Sequence, residues 1–391
     1  MIDFDFVSPT KIYFGKEKEK QIGQICHDFS YKKVLIVIGM GSVKRSGLLQ
    51  LIEDSLKNKA IDFKVFEGVR PNPTIDTCES LIELTKAYKP DMLLAVGGGS
   101  VIDVAKNAAC GYYYDGDSFD FNLHRVTPKK ALPIGVILTI SAAGSELSGS
   151  CVVQSDSLKL KNGFFSNLIR PAFVIENPEL SYGVSKKQTA YGIVDIMMHT
   201  MERFFSESTT ENEPADELAI GLLRSVIKAA RVAYVNPTDY DSRAVLMLMS
   251  SLSHNGLTNI GKTMVMPVHQ LEHALSGAYP DVAHGEGLAL LWPKWARYYA
   301  GIDTEKHAKF ARELFNVDEK DDYKCAIKGI EEIEKLYDFL NMPKKFKDLG
   351  INNIDTSELA RLCTWDDTRP LPNYKKSLNC AEVKEIYDMC I

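Results

Sequence analysis

The first half of the chain alternates short apolar runs with amphipathic stretches, and this alternation limits the possible folds more than any other feature. Runs rich in Val, Ile and Leu at 32–39, 61–69 and 91–100 have the length and composition of buried strands. The stretches between them show the helical spacing of apolar residues. Further strand-like runs follow at 132–140 and 171–178, with a hairpin or loop excursion between them. Strands separated by helices predict a parallel sheet covered by helices.

After about residue 183 the sequence changes character, because long helical patterns replace the strand-like runs. Three of these patterns read KKQTAYGIVDIMMHTMERFFS, ADELAIGLLRSVIKAARVAYV and SRAVLMLMSSLSHNGL. A chain of 391 residues is also too long for one ordinary core, which favours two domains. The sequence therefore predicts an α/β domain with a Rossmann-like parallel sheet over residues 1–182 and an all-helical domain over residues 183–391.

Composition and charge narrow the class of protein. Hydrophobic residues make up 45% and charged residues 25%, which is ordinary for a soluble globular chain and excludes a disordered or fibrous one. The net charge of −6 argues against a nucleic-acid-binding surface, which needs clustered positive charge. No stretch approaches the unbroken apolar length of a membrane span, and no signal peptide is recognisable. The 8 scattered cysteines lack a CxxC pair and favour free thiols, so we expect a cytoplasmic protein.

Four candidate metal ligands lie in the second half of the chain: Asp195, His199, His269 and His284. Asp195 and His199 lie four residues apart in a helical stretch, so both side chains project from one face. His269 and His273 repeat that spacing, and His284 follows a break that contains Gly and Pro. Imidazole nitrogen with some carboxylate oxygen suits a divalent first-row ion such as Zn2+ or Fe2+. Single histidines are often ordinary core or surface residues, but the combined spacing weakens that interpretation here.

A glycine-rich segment marks the position where we expect a phosphate to bind. Gly97, Gly98, Gly99 and Ser100 lie where a strand-like run meets a helical stretch. Backbone N–H groups at a helix N-terminus bind anions, and glycines let a phosphate approach the main chain. The spacing is neither GxGxxG nor that of the nucleoside-triphosphate loop. A tight turn without a ligand is the alternative.

A second glycine turn is placed to contact the ribose end of a dinucleotide. It contains Gly39, Gly41 and Ser42, and it follows the first of the strand-like runs. Sites that prefer NAD commonly use an acidic residue to hold the ribose hydroxyls. No Asp or Glu occurs at 38–47, whereas two basic residues follow the turn. This pattern favours NADP(H) over NAD(H).

Together these segments resemble the iron-containing (group III) alcohol dehydrogenase family, and more closely its NADP-dependent butanol dehydrogenase and aldehyde reductase branch. The matching segments extend over nearly the whole chain and are highly specific in combination. They read GMGSVKRSG (39–47), PNPTID (71–76), AVGGGSVIDVAK (95–106), TISAAGSE (139–146), DIMMH (195–199) and HQLEHALSGAYPDVAHGEG (269–287). In one departure from the family, the segment usually written TGTGSE reads SAAGSE.

The resemblance implies a dehydroquinate synthase-like fold and an oxidoreductase that transfers a hydride between NADP(H) and a small alcohol or aldehyde. It implies one divalent ion, Fe2+ or Zn2+, with Asp195, His199, His269 and His284 as its ligands. His273 is implied to be a non-ligand residue near the nicotinamide and the substrate. The residues implied to contact the dinucleotide are Gly97 to Ser100 with Asp103, and Asn72, Thr139, Ser141 and Lys161. We also expect a homodimer.

The expected chemistry follows from these groups. A bound divalent ion acts as a Lewis acid on a carbonyl or alcohol oxygen, and the nicotinamide takes or gives a hydride. His273 is a candidate proton relay, because imidazole titrates near neutral pH. Glu272 beside it either orients a ligand imidazole or is a solvated helix residue.

Two other functions stay open at this point. One is a non-redox lyase of the dehydroquinate synthase superfamily, and the other is a non-catalytic metal-binding scaffold. The basic residues that a polyanionic lyase substrate needs are not evident around the metal motifs. The presence of every expected ligand argues against the scaffold.

Overall fold

A computed structural model describes residues 1–206 and 213–391 of the chain. The described chain divides into two compact units, and each is assembled from separate stretches of sequence. The sheet unit consists of Val7–Val184 and Pro237–Asn255. The helical unit consists of the described residues of Met1–Phe6, Ser185–Asn236 and Gly256–Ile391. No helix of the described residues is long and apolar enough to cross a membrane.

Six strands of the sheet unit form one parallel sheet, which confirms the predicted architecture. The described strands in chain order are β1 (Lys11–Phe14), β2 (Lys33–Gly39), β3 (Asp62–Val69), β4 (Met92–Gly97), β5 (Ile134–Leu138), β6 (Ser150–Ser155), β7 (Leu160–Phe165) and β8 (Phe173–Glu176). The order across the sheet is β1-β8-β5-β4-β2-β3, while β6 and β7 pair separately as an antiparallel hairpin. All five strand-like runs of the sequence are strands, and β1 was not predicted.

Helices occur in both units. In chain order the described α-helices are α1 (Ile22–Asp28), α2 (Ser42–Arg45), α3 (Leu48–Lys57), α4 (Ile75–Tyr88), α5 (Gly99–Gly111), α6 (Phe119–Asn122), α7 (Lys186–Phe204), α8 (Glu213–Val235), α9 (Tyr240–His254), α10 (Pro267–Ala278), α11 (His284–Ala300), α12 (Thr304–Phe315), α13 (Asp322–Phe339), α14 (Thr356–Thr364) and α15 (Cys380–Asp388). Helices α1 to α6 and α9 belong to the sheet unit, and the others belong to the helical unit.

Side chains of the central strands alternate between two apolar clusters, one on each face of the sheet. On β2, Leu35 and Val37 belong to one cluster, and Val34 and Ile36 belong to the other. Helices α4 and α5 contribute to the first cluster, whereas α1 and α3 contribute to the second. Because both faces are buried, the strands read as continuous apolar runs rather than as alternating ones.

Helix α7 is the central element of the helical unit for the site described below. The hydroxyl of Ser185 caps its N-terminus by accepting a hydrogen bond from the backbone N–H of Gln188. From Gly192 to Phe204 every residue of the helix is buried, including its polar ones. A helix buried on all sides must pair its polar side chains with partners inside the protein.

Candidate active site

Three helices of the helical unit bring the predicted metal ligands together. Asp195 and His199 lie one turn apart on α7, His269 lies in the first turn of α10, and His284 is the first residue of α11. Helix α10 ends at Ala278, within the break that the sequence predicted, and this lets the chain turn before α11 begins.

A close approach of α11 to α10 explains one glycine of the HGEG segment. A Cβ atom built on Gly287 would lie only 2.7 Å from Cγ of Glu272, which is shorter than any ordinary contact. The missing side chain therefore lets the two helices pack with the Glu272 carboxylate between them.

The distances from Asp195 to the three imidazoles are close to those that a single ion would impose. Oδ1 of Asp195 lies 3.2 Å from Nδ1 of His199, 3.6 Å from Nε2 of His269 and 3.8 Å from Nε2 of His284. For metal–ligand bonds of 2.0–2.1 Å, tetrahedral geometry separates neighbouring ligand atoms by about 3.3 Å. Asp195, His199 and His269 are only 4–5% exposed, and the side chain of His284 is 25% exposed. The structure thus groups all four predicted ligands in a largely buried cluster.

The polar atoms at the centre of the cluster are suited to a cation. Within the described residues, Oδ1 of Asp195 and Nε2 of His269 are buried without forming a hydrogen bond. Burial lowers the pKa of His269, but the carboxylates of Glu202 and Asp195 outweigh this effect and raise the pKa to about 9. The same negative potential that favours a proton on this ring favours a metal ion beside it.

His273 lies beside the predicted ligands. Its ring centre is 5.8 Å from that of His284 and 6.3 Å from that of His269. Ligand atoms of His273, Glu272 and His284 also lie within 4.8 Å of one another. Since Nε2 of His284 faces Asp195, His284 belongs both to this group and to the four predicted ligands.

The structure adds two carboxylates to the site. Glu272, which the sequence left undecided, is fully buried and bonds to Nδ1 of His284. Glu202, which was not singled out, is buried and bonds to Nδ1 of His269. A sequence signal for Glu202 exists, because it follows Asp195 by seven residues and His199 by three, and so shares their helix face.

The two predicted glycine turns lie at the same edge of the parallel sheet. β2 and β4 are neighbours with Ile38 opposite Val96, so both strands run into their turns side by side. β4 continues through Gly98 into α5, and a Cβ on Gly98 would lie 2.3 Å from Cγ2 of Ile140. Among the residues that the structure describes, no side chain caps the start of α5, so its first N–H groups remain available to an anion.

The other predicted dinucleotide contacts lie in the same unit. Thr139 follows β5, and its backbone N–H donates to the carbonyl oxygen of Gly97 across the sheet edge. Asn72 adopts a left-handed conformation with φ of 49°, and Nζ of Lys161 lies 3.4 Å from its Oδ1. The hydroxyl oxygen of Ser141 is buried and forms no hydrogen bond within the described residues, so it can serve a ligand.

Asp103 has protein partners of its own. Its carboxylate accepts hydrogen bonds from Oγ of Ser145 at 2.7 Å and from the backbone N–H of Val152 at 3.1 Å. One turn further along α5, Lys106 is fully buried and donates to the carbonyl oxygens of Ser145, Ser148 and Ser150. Burial lowers the pKa of Lys106 to about 8. Both side chains bind Ser145 within the SAAGSE segment and residues that follow this segment.

Comparison with known proteins shows which family shares these features. The chain matches the sequence profile of iron-containing alcohol dehydrogenase over residues 9–178, and that of the Fe-containing alcohol dehydrogenase family, C-terminal, over residues 189–391. NADH-dependent butanol dehydrogenase A from Clostridium acetobutylicum is 37% identical over 99% of both chains. NADPH-dependent aldehyde reductase YqhD from Escherichia coli is 30% identical over 92% of both chains.

A solved structure gives the same result at the level of the fold. NADH-dependent butanol dehydrogenase A from Thermotoga maritima superposes with a TM-score of 0.95 at 32% identity, covering 100% of this chain and 99% of that chain. The fold is therefore dehydroquinate synthase-like, as the resemblance implied. The chain belongs to the iron-containing alcohol dehydrogenase family, and it is an oxidoreductase of that type.

Proposed function

We propose that this chain is a metal-dependent oxidoreductase that transfers a hydride between NADP(H) and a small alcohol or aldehyde of the butanol and butyraldehyde kind. The observation that carries the proposal is the buried convergence of Asp195, His199, His269 and His284 in a member of the alcohol dehydrogenase family. The names of similar butanol dehydrogenases and of an aldehyde reductase support the class of substrate.

The four side chains are proposed to hold one divalent ion, Fe2+ or Zn2+. Three imidazoles and one carboxylate suit either ion, and which is bound depends on availability as well as on affinity. Such an ion, when bound, polarises the oxygen of the substrate as a Lewis acid. Asp195 supplies the single negative charge among the ligands, so the cluster neutralises only half the charge of a divalent ion.

His273 is proposed to carry the proton of the reaction. Oxidation of an alcohol releases one hydride to the nicotinamide and one proton from the hydroxyl group, and reduction of an aldehyde takes up both. The imidazole of His273 lies next to the cluster without completing it, which leaves it able to accept and return that proton.

The dinucleotide is proposed to bind at the carboxyl edge of the parallel sheet. The N-terminus of α5, from Gly97 to Ser100, suits the pyrophosphate, and the positive charge of Lys161 adds to this. The remaining proposed contacts are Asn72, Thr139 and Ser141, with Gly39, Gly41 and Ser42 at the ribose. Asp103 would act by holding the adjoining loop, since its carboxylate already binds Ser145 and Val152.

A preference for NADP(H) over NAD(H) is the finer part of the proposal. Lys44 pairs with Glu67 and is thereby partly neutralised, whereas Arg45 is exposed. The guanidinium of Arg45 lies 3.2 Å from the position that a Cβ on Gly41 would occupy, close to the turn that meets the ribose. This cation supports recognition of a 2′-phosphate. Two of the similar proteins have NADH in their names and one has NADPH, so the cofactor preference of this chain has to be measured.

The test is turnover with butyraldehyde as substrate and NADPH or NADH as cofactor. Metal-stripped protein is expected to lose activity and to regain it with Fe2+ or Zn2+. Full activity in a preparation shown to be metal-free would contradict the metal proposal. Metal binding without cofactor oxidation would favour the non-redox lyase or the scaffold instead. The homodimer stays a prediction, which sedimentation analysis of the purified protein would decide.

A further inference from the structure

Two carboxylates outside the proposed ligand set lie directly behind two of the ligand imidazoles. Glu202 on α7 bonds to Nδ1 of His269, and Glu272 on α10 bonds to Nδ1 of His284. In both rings the opposite nitrogen, Nε2, faces Oδ1 of Asp195, at 3.6 and 3.8 Å. Each imidazole is therefore fixed between a buried glutamate and the centre of the cluster.

We propose that Glu202 is a positioning residue that makes His269 a competent metal ligand. A carboxylate only accepts hydrogen bonds, so Nδ1 of His269 must carry the hydrogen. The lone pair of Nε2 is then free to face an ion, and the ring cannot turn away from it. This inference rests on the metal site proposed above, and it assigns a task to a residue outside the four proposed ligands.

Glu202 does more than bind one ring. Its Oε1 accepts hydrogen bonds from the backbone N–H groups of Val268 at 2.6 Å and of His269 at 3.2 Å, while Oε2 bonds to the imidazole. Both N–H groups belong to the first turn of α10, which begins at Pro267. One carboxylate thus satisfies two orphan donors of a helix N-terminus and sets the ring that projects from it.

This arrangement makes a glutamine at position 202 a specific probe. All three partners of Glu202 are donors, so both of its side-chain oxygens must accept. An amide of the same size has one accepting end and one donating end. If its NH2 group faces the imidazole, Nδ1 must accept, the hydrogen moves to Nε2, and the metal-binding lone pair is lost. If the NH2 group faces the backbone, two N–H groups are left without an acceptor.

The experiment measures Zn2+ affinity of the metal-stripped full-length protein by competition with a chelator of known affinity. Glu202→Gln is expected to bind Zn2+ about 10- to 100-fold more weakly than the wild type. Glu202→Asp keeps an acceptor at each oxygen on a shorter stem, and it is expected to recover part of the affinity. It also serves as the readout if the glutamine variant does not fold.

Asp216→Asn is the matched control, because it removes a buried carboxylate of the same unit whose hydrogen-bond partners are lysines rather than a ligand imidazole. Asp216 bonds to Lys262, Lys306 and Lys309, so its loss is expected to lower the melting temperature of the metal-free protein without changing Zn2+ affinity. If Glu202→Gln and Glu202→Asp both lower the melting temperature but bind Zn2+ as the wild type does, Glu202 is only structural and the inference is overturned. A wild type that binds no Zn2+ and no Fe2+ would instead overturn the proposed metal site itself.

Discussion

A buried pair of carboxyl groups is expected to make the stability of the sheet unit depend on pH. Oγ of Ser251 lies 2.6 Å from Oε1 of Glu176 and 2.7 Å from Oε1 of Glu146. A hydroxyl group has one hydrogen, so Ser251 donates to one carboxylate and must accept from the other, which is then protonated. Burial, with the charge of Glu146 as a second cause, raises the pKa of Glu176 from 4.5 to about 8. Glu176 is therefore the protonated member at neutral pH.

The sign and size of the effect follow from this pKa. The unfolded chain ionises Glu176 above pH 4.5, whereas the folded chain keeps the proton up to about pH 8. Between these values the folded state binds more protons, so the free energy of unfolding falls as the pH rises. At about 1.36 kcal/mol for each pH unit, the loss approaches 5 kcal/mol. Glu176→Gln has the shape of the protonated acid, offers a hydrogen to Ser251 and does not titrate.

The assay is urea unfolding of wild type and Glu176→Gln at pH 5, 7 and 8.5, followed by far-UV circular dichroism. Trp292, Trp295 and Trp365 all lie in the helical unit, so tryptophan fluorescence would not follow the sheet unit, whereas far-UV circular dichroism follows both units. The variant is expected to gain several kcal/mol relative to the wild type between pH 5 and 8.5.

A surface glutamate provides the control for this measurement. Glu179 is about a third exposed and pairs with Lys16, and Glu179→Gln is expected to shift stability by less than about 1 kcal/mol at every pH. A difference between wild type and Glu176→Gln that stays constant from pH 5 to 8.5 would refute the assignment of the proton to Glu176.

His199→Ala removes one of the four proposed ligands and is expected to lose most of the bound metal, whereas His273→Ala is expected to keep the metal and lose turnover. Metal analysis and kcat of both variants test these two roles, and equal metal loss in both would contradict them. Gly39→Asp places a carboxylate beside the proposed ribose site and is expected to shift kcat/KM from NADPH towards NADH by about ten- to a hundredfold. An unchanged cofactor ratio would show that this turn does not contact the 2′ position. Gly98→Ala sets a Cβ 2.3 Å from Cγ2 of Ile140, so we expect the free energy of unfolding to fall by about 1–3 kcal/mol and the dinucleotide to bind more weakly. A variant that binds the cofactor with the Kd of the wild type would contradict this expectation.

Strands buried on both faces could be predicted from the sequence because their signal is local. β2 and β4 are continuous apolar runs that end in glycine, and neighbouring residues alone indicate such strands. β1 was not predicted because it is an edge strand, with an adjacent strand on one side only, and two of its four residues are exposed. Its short KIYF sequence carries neither a continuous run nor a clear alternation.

Part of the site was predictable for the same reason, and part depends on contacts distant in sequence. Asp195 and His199 could be predicted as a pair because both lie within five residues and have helical spacing. The same spacing places Glu202 on their helix face, but it does not show that Glu202 or Glu272 is buried, because a glutamate on a helix usually faces solvent. Their burial follows from the placement of His269 and His284 on other helices, and no local pattern records that placement.

The position of helix α9 in the sequence determines when the sheet unit can be completed during synthesis. Ser250 bonds to the backbone of Ala142, and Met247 packs in one apolar cluster of the sheet unit. A ribosome delivers α9 only after α7 and α8, so the sheet unit lacks part of its core until residues 185–236 already exist. A fragment ending at 184 would leave the Glu146 and Glu176 carboxyl groups without Ser251. Exchange of the sheet unit between relatives would accordingly need crossovers in the gene near residue 184 and at both ends of residues 237–255, rather than a single cut.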